Sequence, residues 1–578
     1  MSAPSCPIAL LYDDSAYVEV ARQTPADAEA PAGLVGRLVA GREFLDAYLT
    51  YGDWEELTAI VYNQASAESL SRLHEKHPSR RARPLRLVPM ADFPGCLFPS
   101  PPARVLYTPC PPDPGFAWAR YHAAPGAFAL SGVTHTLCTA GAARILAEMV
   151  TAPYEPYDTL VCTSTAVLRM VRAVTGAYAD YLRDRHGGAP ALRPRLELIP
   201  LGVNPDRFRP ATPAERSAQR AALHVADDAV AVLFVGRFTP HAKAHPFPMF
   251  QGVARAAQQT GRRAHLILSG WAANDSLLRA FIDGARTFAP GVPVSVVDGT
   301  DPAWRFAVWQ AADLFTSLAD SIQETFGLVI LEAMACGLPV VASDWDGYRD
   351  LVVDGETGLL VPTCLLRDAT ADATVRLLLG AVDYDTFLGE CNQTAIVDPA
   401  AAAAAFARLF ADPSLCRRLG AAGRRRVLER FTWAGVIRAY EELWRSQEAE
   451  RQGRTAQTPA APPLGGPPCY PAPEWSFAGY PTLLLGKDDL LETAPGAEDD
   501  LGQFLTLPLT SYARDRRLGD EAALRAVLAA AATPRTVGEL DACLRGRGAS
   551  YRAGRATLAW MLKYGLLRRI TGLTGREA

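Results

Sequence analysis

Two doubly wound α/β domains facing a cleft, followed by a small mainly helical module, is the architecture this sequence predicts. Three observations carry it. The 578 residues exceed what one hydrophobic core organises, so two or three domains are expected. Residues 1–205 and then 206–430 each alternate short apolar runs with helical stretches, the rhythm of a parallel sheet covered by helices. Residues 451–475 are rich in Pro, Gly, Ala and Gln without an apolar period, which reads as a linker before a unit at 476–578.

In the first domain the runs Ile8–Tyr12, Leu57–Tyr62, Leu85–Val88, Arg104–Tyr107, Phe128–Val133, Thr159–Cys162 and Leu196–Ile199 are the expected strands. In the second they are Val230–Phe234, Ala264–Leu268, Val292–Val297, Leu314–Leu318 and Leu338–Ser343. Pro246–Gln259, Pro399–Leu409 and Trp433–Glu448 carry helical patterns. In the last unit Asp520–Ala532, Thr536–Arg545 and Tyr551–Tyr564 read as three helices before an apolar-basic strand at 565–570. Thr536 followed by Glu539 is a capping box that marks one of those starts. Three short helices and a strand suggest a winged-helix-like module.

Hydrophobic content of 49% and a net charge of −4 place the chain among globular proteins, with no bulk attraction to nucleic acid or membrane. No apolar run approaches the ~18–20 residues that span a bilayer. Pro7–Tyr12 is too short for a secretory core and runs into Asp13-Asp14, so a cytoplasmic location is expected. The 11 cysteines lack CxxC pairs or histidines at zinc spacing, so neither a disulfide framework nor a metal site is predicted. Only Lys76, Lys243, Lys487 and Lys563 are lysines among 58 basic residues, which draws attention to any lysine near a site.

The most informative stretch is Gln323-Glu324-Thr325-Phe326-Gly327 leading into an apolar helix that carries Glu332 and ends at Gly337-Leu338-Pro339. Glycine after the last turn with proline two residues beyond is a helix stop. Flanked by the runs 314–318 and 338–343, the unit is strand–helix–strand. Its helix N-terminus would lie at the carboxyl edge of a parallel sheet, where free amides and the dipole favour phosphate. The amides around Gly327 and Leu328 would cradle that phosphate, and a carboxylate on each side could bind hydroxyls.

The Glu324–x7–Glu332 spacing resembles the signature of the retaining GT-B glycosyltransferases of family 4. The continuation Trp345-Asp346-Gly347-Tyr348-Arg349-Asp350 looks like a bacterial subgroup of them. The resemblance spans roughly residues 1–450. It implies two Rossmann-like domains around a cleft, with the last helix crossing back onto the first domain. It also implies a nucleotide-diphosphate sugar as donor, with Glu324 on the sugar hydroxyls and Glu332 on the ribose. Phe326 lies in the same loop.

Val232–Phe238 resembles the family's strand–Gly–Arg…Lys element, with Gly236, Arg237 and, one residue later than usual, Lys243; both cations would reach the donor diphosphate. Fixed cations in a cleft stabilise a leaving group of growing negative charge without reorganising. His135, in Gly132-Val133-Thr134-His135-Thr136, looks like the family histidine that faces the donor sugar. Gly33-Leu34-Val35-Gly36 resembles the glycine loop of the first domain.

Asp344-Trp345-Asp346 imitates a DxD metal motif but follows a strand where the family has a glycine-rich turn. A turn with capping carboxylates and a metal-free site are the expectation. The basic stretch Arg72, Lys76, Arg80, Arg81, Arg83 and Arg86 reads as a solvated loop in preference to the peripheral membrane contact that the resemblance to lipid-glycosylating relatives implies. The last unit carries Arg535, Arg545, Arg547, Arg552, Arg555, Lys563, Arg568, Arg569 and Arg576 against Glu539, Asp541 and Glu577. That balance suits a phosphate backbone or a protein partner, and docking of a protein is preferred to nucleic acid. The acceptor, whether carbohydrate, lipid-linked or protein, has no signature. Two rivals stand beside the transferase reading: a GT-B phosphorylase or nucleotide-sugar epimerase, and a nucleotide-sugar-sensing regulator acting through the basic module.

Overall fold

The computed structural model describes residues 8–14, 36–77, 83–93, 104–123, 125–455, 467–468, 471–511, 518–547 and 551–570. The chain divides into two compact units, residues 1–463 and 464–578.

The first unit contains two parallel sheets. One has seven strands, β1 (Ile8–Tyr12), β2 (Leu57–Val61), β3 (Leu85–Pro89), β4 (Val105–Thr108), β5 (Ala129–Val133), β6 (Thr159–Cys162) and β7 (Arg195–Leu198), in the order β3-β2-β1-β4-β5-β6-β7. The other has β8 (Val230–Val235), β9 (Ala264–Gly270), β10 (Val294–Asp298), β11 (Leu314–Ser317), β12 (Val340–Ser343) and β13 (Gly358–Val361), in the order β10-β9-β8-β11-β12-β13. All pairs in both sheets are parallel. The order reverses between β1 and β4 and again between β8 and β11. This is the two-domain GT-B arrangement, and in open α/β sheets the ligand crevice opens at such reversals.

The strands form where continuous apolar runs predicted them, because strands buried on both faces have no polar face to alternate with. Ala9, Leu10, Val232, Leu233, Val340 and Val341 are essentially inaccessible. In the described residues of the first unit three further strands lie beyond those expectations: β13, and the antiparallel pair β14 (Thr363–Leu365) and β15 (Ala395–Val397). Helices Ala373–Leu378 and Tyr384–Asn392 sit between the last two.

The helix Trp433–Thr455 returns from the second sheet to the first. Trp444 is 1% exposed and its indole nitrogen donates to Ser131 Oγ at 3.1 Å, while Gln447 Nε2 donates to the carbonyls of Leu130 and Tyr157. Phe44, Tyr107, Tyr440 and Trp444 form one aromatic cluster, with ring centroids 4.9–5.8 Å apart. Truncating such a buried tryptophan to alanine costs ~3–5 kcal/mol. The helix runs past the predicted end at Glu448, because Arg451 still donates to the Gly126 carbonyl and pairs with Glu448 at 2.7 Å. Residues 451–455 are thus helix rather than linker, and 456–466 and 469–470 lie outside the described residues.

The second unit is mainly helical. Helices Ala497–Thr506, Glu521–Ala530, Val537–Arg545 and Tyr551–Lys563 accompany a three-stranded antiparallel sheet. The sheet order is β17 (Arg535–Thr536), β16 (Leu490–Thr493), β18 (Leu567–Arg569). The capping box at Thr536 and Glu539 is formed. Its core joins Leu491, Leu501, Leu524, Leu540, Leu558 and Met561. Among the described residues no helix is long and apolar enough to cross a membrane.

Candidate functional site

The carboxyl end of β8 delivers Gly236 and Arg237, and the loop after β11 delivers Gln323 and Glu324. Close backbone approach makes this possible: a Cβ at Gly270, the end of β9, would overlap the Gly236 carbonyl oxygen. Gly327 then turns the chain with φ +106°, and a Cβ there would fall 2.5 Å from the Tyr348 ring. Only glycine fits that conformation and that space. The helix Leu328–Ala335 starts directly afterwards, and no side chain caps its N-terminus.

A cavity of about 290 Å³ opens on this helix start. Its walls include Arg237, Lys243, Glu324, Glu332 and His135, together with Gly36, Gly236, Phe326, Gly327 and Leu328. The structure therefore brings the sequence-predicted site residues to one place, apart from Gly33, which lies outside the described residues. A larger hollow of about 790 Å³ lies at the amino ends of β8–β10, lined by His224, Gln251 and Pro293 among others, and none of these residues reaches it.

The extra residue between Arg237 and Lys243 is absorbed locally. Ala242 and Lys243 both donate their amides to the Thr239 carbonyl, forming a tight turn. Lys243 Nζ then meets Glu324 Oε2 at 2.5 Å, both side chains about 15% exposed. Burial by itself would raise the Glu324 carboxyl. The Lys243 charge and hydrogen bond, with the amides of Phe326 and Thr325, outweigh it and hold Glu324 below the ordinary glutamate value. Tyr348 Oη donates to the same oxygen at 3.3 Å. Arg237 is held from the rear, donating to Gln323 Oε1 at 2.6 Å and to the Ala242 carbonyl at 3.3 Å.

Glu332 is the opposite case. Burial first, then the nearby Glu43 carboxyl, push it up to about 8 against the pull of Arg305 and Lys243. Glu43 stands on the first-domain helix Gly36–Tyr51 and accepts from Trp433 Nε1 at 3.1 Å. Burial raises its carboxyl too.

His135 follows β5. Its neighbour Thr134 fixes the strand end by bonding the Val161 carbonyl through both amide and hydroxyl. Among the described residues a Cβ at Gly36 would meet nothing within 4 Å, so packing there does not itself demand glycine. Two further contacts join the domains beside the site. Ser164 Oγ donates to the Thr325 carbonyl at 2.8 Å, and the Thr165 amide donates to Asp350 Oδ2 at 2.5 Å.

Asp344 and Asp346 do not line the cavity. Asp344 pairs with Arg349 at 2.7 Å. Asp346 turns at φ +46°, its Oδ2 buried without a partner among the described residues, and burial with the Glu324 charge pushes its carboxyl to about 8. Among the described residues no three His, Cys, Asp or Glu side chains converge as a metal site. In the basic stretch, Arg83 stacks on Trp54 at 4.8 Å and donates to the Gly52 carbonyl, while Arg80 and Arg81 lie outside the described residues. In the second unit Arg535, Arg545, Arg555, Arg568 and Arg569 stand in ion pairs with Glu539, Asp541, Glu492 and Asp489.

Sequence reasoning missed Arg305, Gln323 and Glu43. Gln323 had a usable signal, its place immediately before Glu324. Arg305 lines the cavity and Glu43 acts on Glu332 from distant segments, and no local pattern marks them.

Residues 229–379 match the family model for glycosyl transferases group 1. That segment of the chain is similar to a group 1 glycosyltransferase domain. Over 195 residues it is 35% identical to a D-inositol 3-phosphate glycosyltransferase of Nocardia farcinica, covering 33% of this chain and 41% of that protein. It is 29% identical over 331 residues to an alpha-maltose-1-phosphate synthase of Mycolicibacterium smegmatis, covering 55% and 75%. The chain spans about half the length of the D-inositol 3-phosphate glycosyltransferases it matches. Among solved structures, sucrose-phosphate synthase from Thermosynechococcus elongatus aligns with a TM-score of 0.46 at 22% identity, over 77% of this chain and all of that one. Anabaena HepE in complex with UDP-glucose aligns at 0.46 and 16% identity, over 76% and 99%. The two-sheet fold rests on its own strand order rather than on these likenesses.

Proposed function

We propose that the chain is a retaining, metal-independent glycosyltransferase that moves a sugar from a nucleotide-diphosphate donor to an acceptor hydroxyl. One observation carries this reading. Arg237, Lys243 and Glu324 converge beside an uncapped helix start in a cavity at the strand reversal of the group 1 domain. The two cations and the amides near Gly327 and Leu328 suit a diphosphate. Glu324, held ionised, suits the hydroxyls of the sugar, and Glu332 the ribose. His135 faces the same cavity from the first domain.

In the reaction the bond from the sugar's anomeric carbon to the phosphate oxygen breaks. The acceptor oxygen bonds to that carbon on the same face, and its proton passes to the departing phosphate. Arg237 and Lys243 stabilise the charge gathering on the leaving group, so the cationic role is filled by protein side chains. Glu324 is engaged by Lys243, Tyr348 and two amides, a posture for holding hydroxyls rather than for attack.

Work in the cytoplasm is part of this proposal. The second unit is proposed as a winged-helix-like module that docks a protein partner; its paired arginines leave less charge for a phosphate backbone.

The test is binding and turnover with UDP-, GDP- and ADP-sugars, with and without chelator. Acceptors should include inositol phosphates and sugar phosphates, the chemistry in the relatives' names. The product anomer is read by NMR. Binding of one donor and retention of its anomeric configuration in chelator are expected. Inversion, or activity restored only by Mg²⁺ or Mn²⁺, overturns the corresponding part.

A further inference from the structure

Between β14 and β15 the segment 373–392 folds onto the loop that carries Glu324, and it grips that loop at three points. Asn392 Nδ2 donates to Asp320 Oδ1 at 2.7 Å. Ile322 packs into a small core with Ala373, Phe387 and Cys391. Tyr384, the first residue of the helix Tyr384–Asn392, places its hydroxyl 3.2 Å from Gln323 Nε2. The same hydroxyl lies 3.0 Å from Cys138 Sγ, on the first-domain loop three residues beyond His135.

The direction of these bonds follows from the arginine at one end. Arg237 can only donate, so Gln323 must turn its carbonyl oxygen toward it, at 2.6 Å. The Gln323 amide nitrogen therefore faces Tyr384 and donates. The tyrosine hydroxyl, having accepted, is free to donate its own proton to the Cys138 sulfur. One oriented chain, Arg237–Gln323–Tyr384–Cys138, thus crosses from the second domain to the first. The helix holding Tyr384 lies beyond the matched family segment, which stops at residue 379.

We infer that Tyr384 is a positioning residue for the donor diphosphate: it sets the Gln323 amide, and through it Arg237, and ties that arginine to the loop bearing His135. The inference rests on the donor reading given above. Tyr384 does not line the cavity and does not touch the donor. It acts by restricting where the Arg237 guanidinium points and by making that orientation depend on first-domain contact.

Y384F removes the hydroxyl and keeps the ring that packs beside Phe387, so the fold is retained. Calorimetry on the full chain would compare UDP, GDP and ADP with the corresponding free nucleosides. Y384F should weaken the bound diphosphate about tenfold, or ~1.4 kcal/mol. Nucleoside affinity should stay within about twofold, because the arginine meets only the phosphates. In an R237A background Y384F should add less than about twofold. Equal losses for nucleoside and diphosphate, or an undiminished loss with Arg237 absent, would overturn the inference. Hydrogen exchange on the ligand-free chain gives a second, independent answer. Y384F should speed exchange in both 134–139 and 321–327, and wild-type protection in both would overturn it. A wild-type chain that binds none of the three diphosphates would sink the donor reading alone, and the exchange result would still decide whether Tyr384 couples the two loops.

Discussion

The loop before the cleft helix and the helix itself each present one glutamate to the same cavity, and the two carboxyls are driven in opposite directions. Glu324, on the loop, is buried but meets Lys243 at 2.5 Å and two amides, and it is held below its ordinary value. Glu332, eight residues on, is buried beside another carboxyl and rises to about 8. Residue type and burial are shared. The partner decides the charge, and the charge fits the proposed task. In the proposed reading an ionised Glu324 accepts sugar hydroxyls, while a Glu332 that keeps its proton avoids a pair of negative charges with Glu43.

The sharpest way to break this contrast is to neutralise the charged member. E324Q should lower turnover about 10²–10³-fold with the fold intact, as loss of one preorganised site contact commonly does. R237A should fall at least as far. Turnover of E324Q within threefold of wild type would remove Glu324 from the mechanism.

K243A tests whether the partner sets the state of Glu324. Without the ammonium, burial loses its main opponent and the carboxyl should rise from its lowered value. The loss should be about tenfold near neutrality, the size of one charge-assisted contact, and should grow as the pH falls. The acid limb of the kcat/KM profile should move to higher pH. An unmoved acid limb would mean that Lys243 serves the diphosphate only.

Much of this was legible because the chemistry sits at strand ends. Arg237 follows a buried strand directly, and Glu324 and Glu332 flank a glycine that starts a helix. The segment 363–396 was not legible for a physical reason. Its apolar side chains Leu365, Leu366, Leu378, Leu379 and Ile396 are 47–76% exposed, so hydrophobic pattern pointed to no core. Partners far apart in the chain were equally invisible. Cys138 and Tyr384 are 246 residues apart, and Glu43 and Trp433 are 390 apart. The length of the last helix was underestimated because Arg451 bonds a first-domain carbonyl that no local periodicity reveals.

E332Q addresses the neutral member. The folded Glu332 value, about 8, lies above the unfolded 4.5. Its contribution to stability is therefore complete below pH 4.5 and lost as the pH rises to 8, since the unfolded chain releases the proton first. The amide that replaces the carboxyl has no proton to lose, so the fall in Tm from pH 5 to pH 8 should be shallower than in wild type. Nucleoside diphosphate affinity should drop by up to about tenfold if the side chain grips the ribose. A wild-type slope in the E332Q variant would show that the carboxyl titrates normally.

The smallest expected effect, and the finest test of the comparison, is E43Q. The substituted amide keeps a carbonyl oxygen to accept from Trp433 Nε1, so the contact at 3.1 Å survives. What disappears is the negative charge facing Glu332, together with the raised titration of Glu43 itself. Burial still holds Glu332 above its ordinary value, but with less repulsion its value in the folded chain falls below 8. Both changes act in one direction. The stability lost on raising the pH shrinks, and the curve levels off before pH 8. Turnover should stay within about threefold of wild type, because no contact to the proposed diphosphate is removed. If E43Q loses stability with pH as steeply as wild type, the two carboxyls do not feel one another. Burial alone would then have to account for Glu332, and the contrast with Glu324 would reduce to the presence of Lys243.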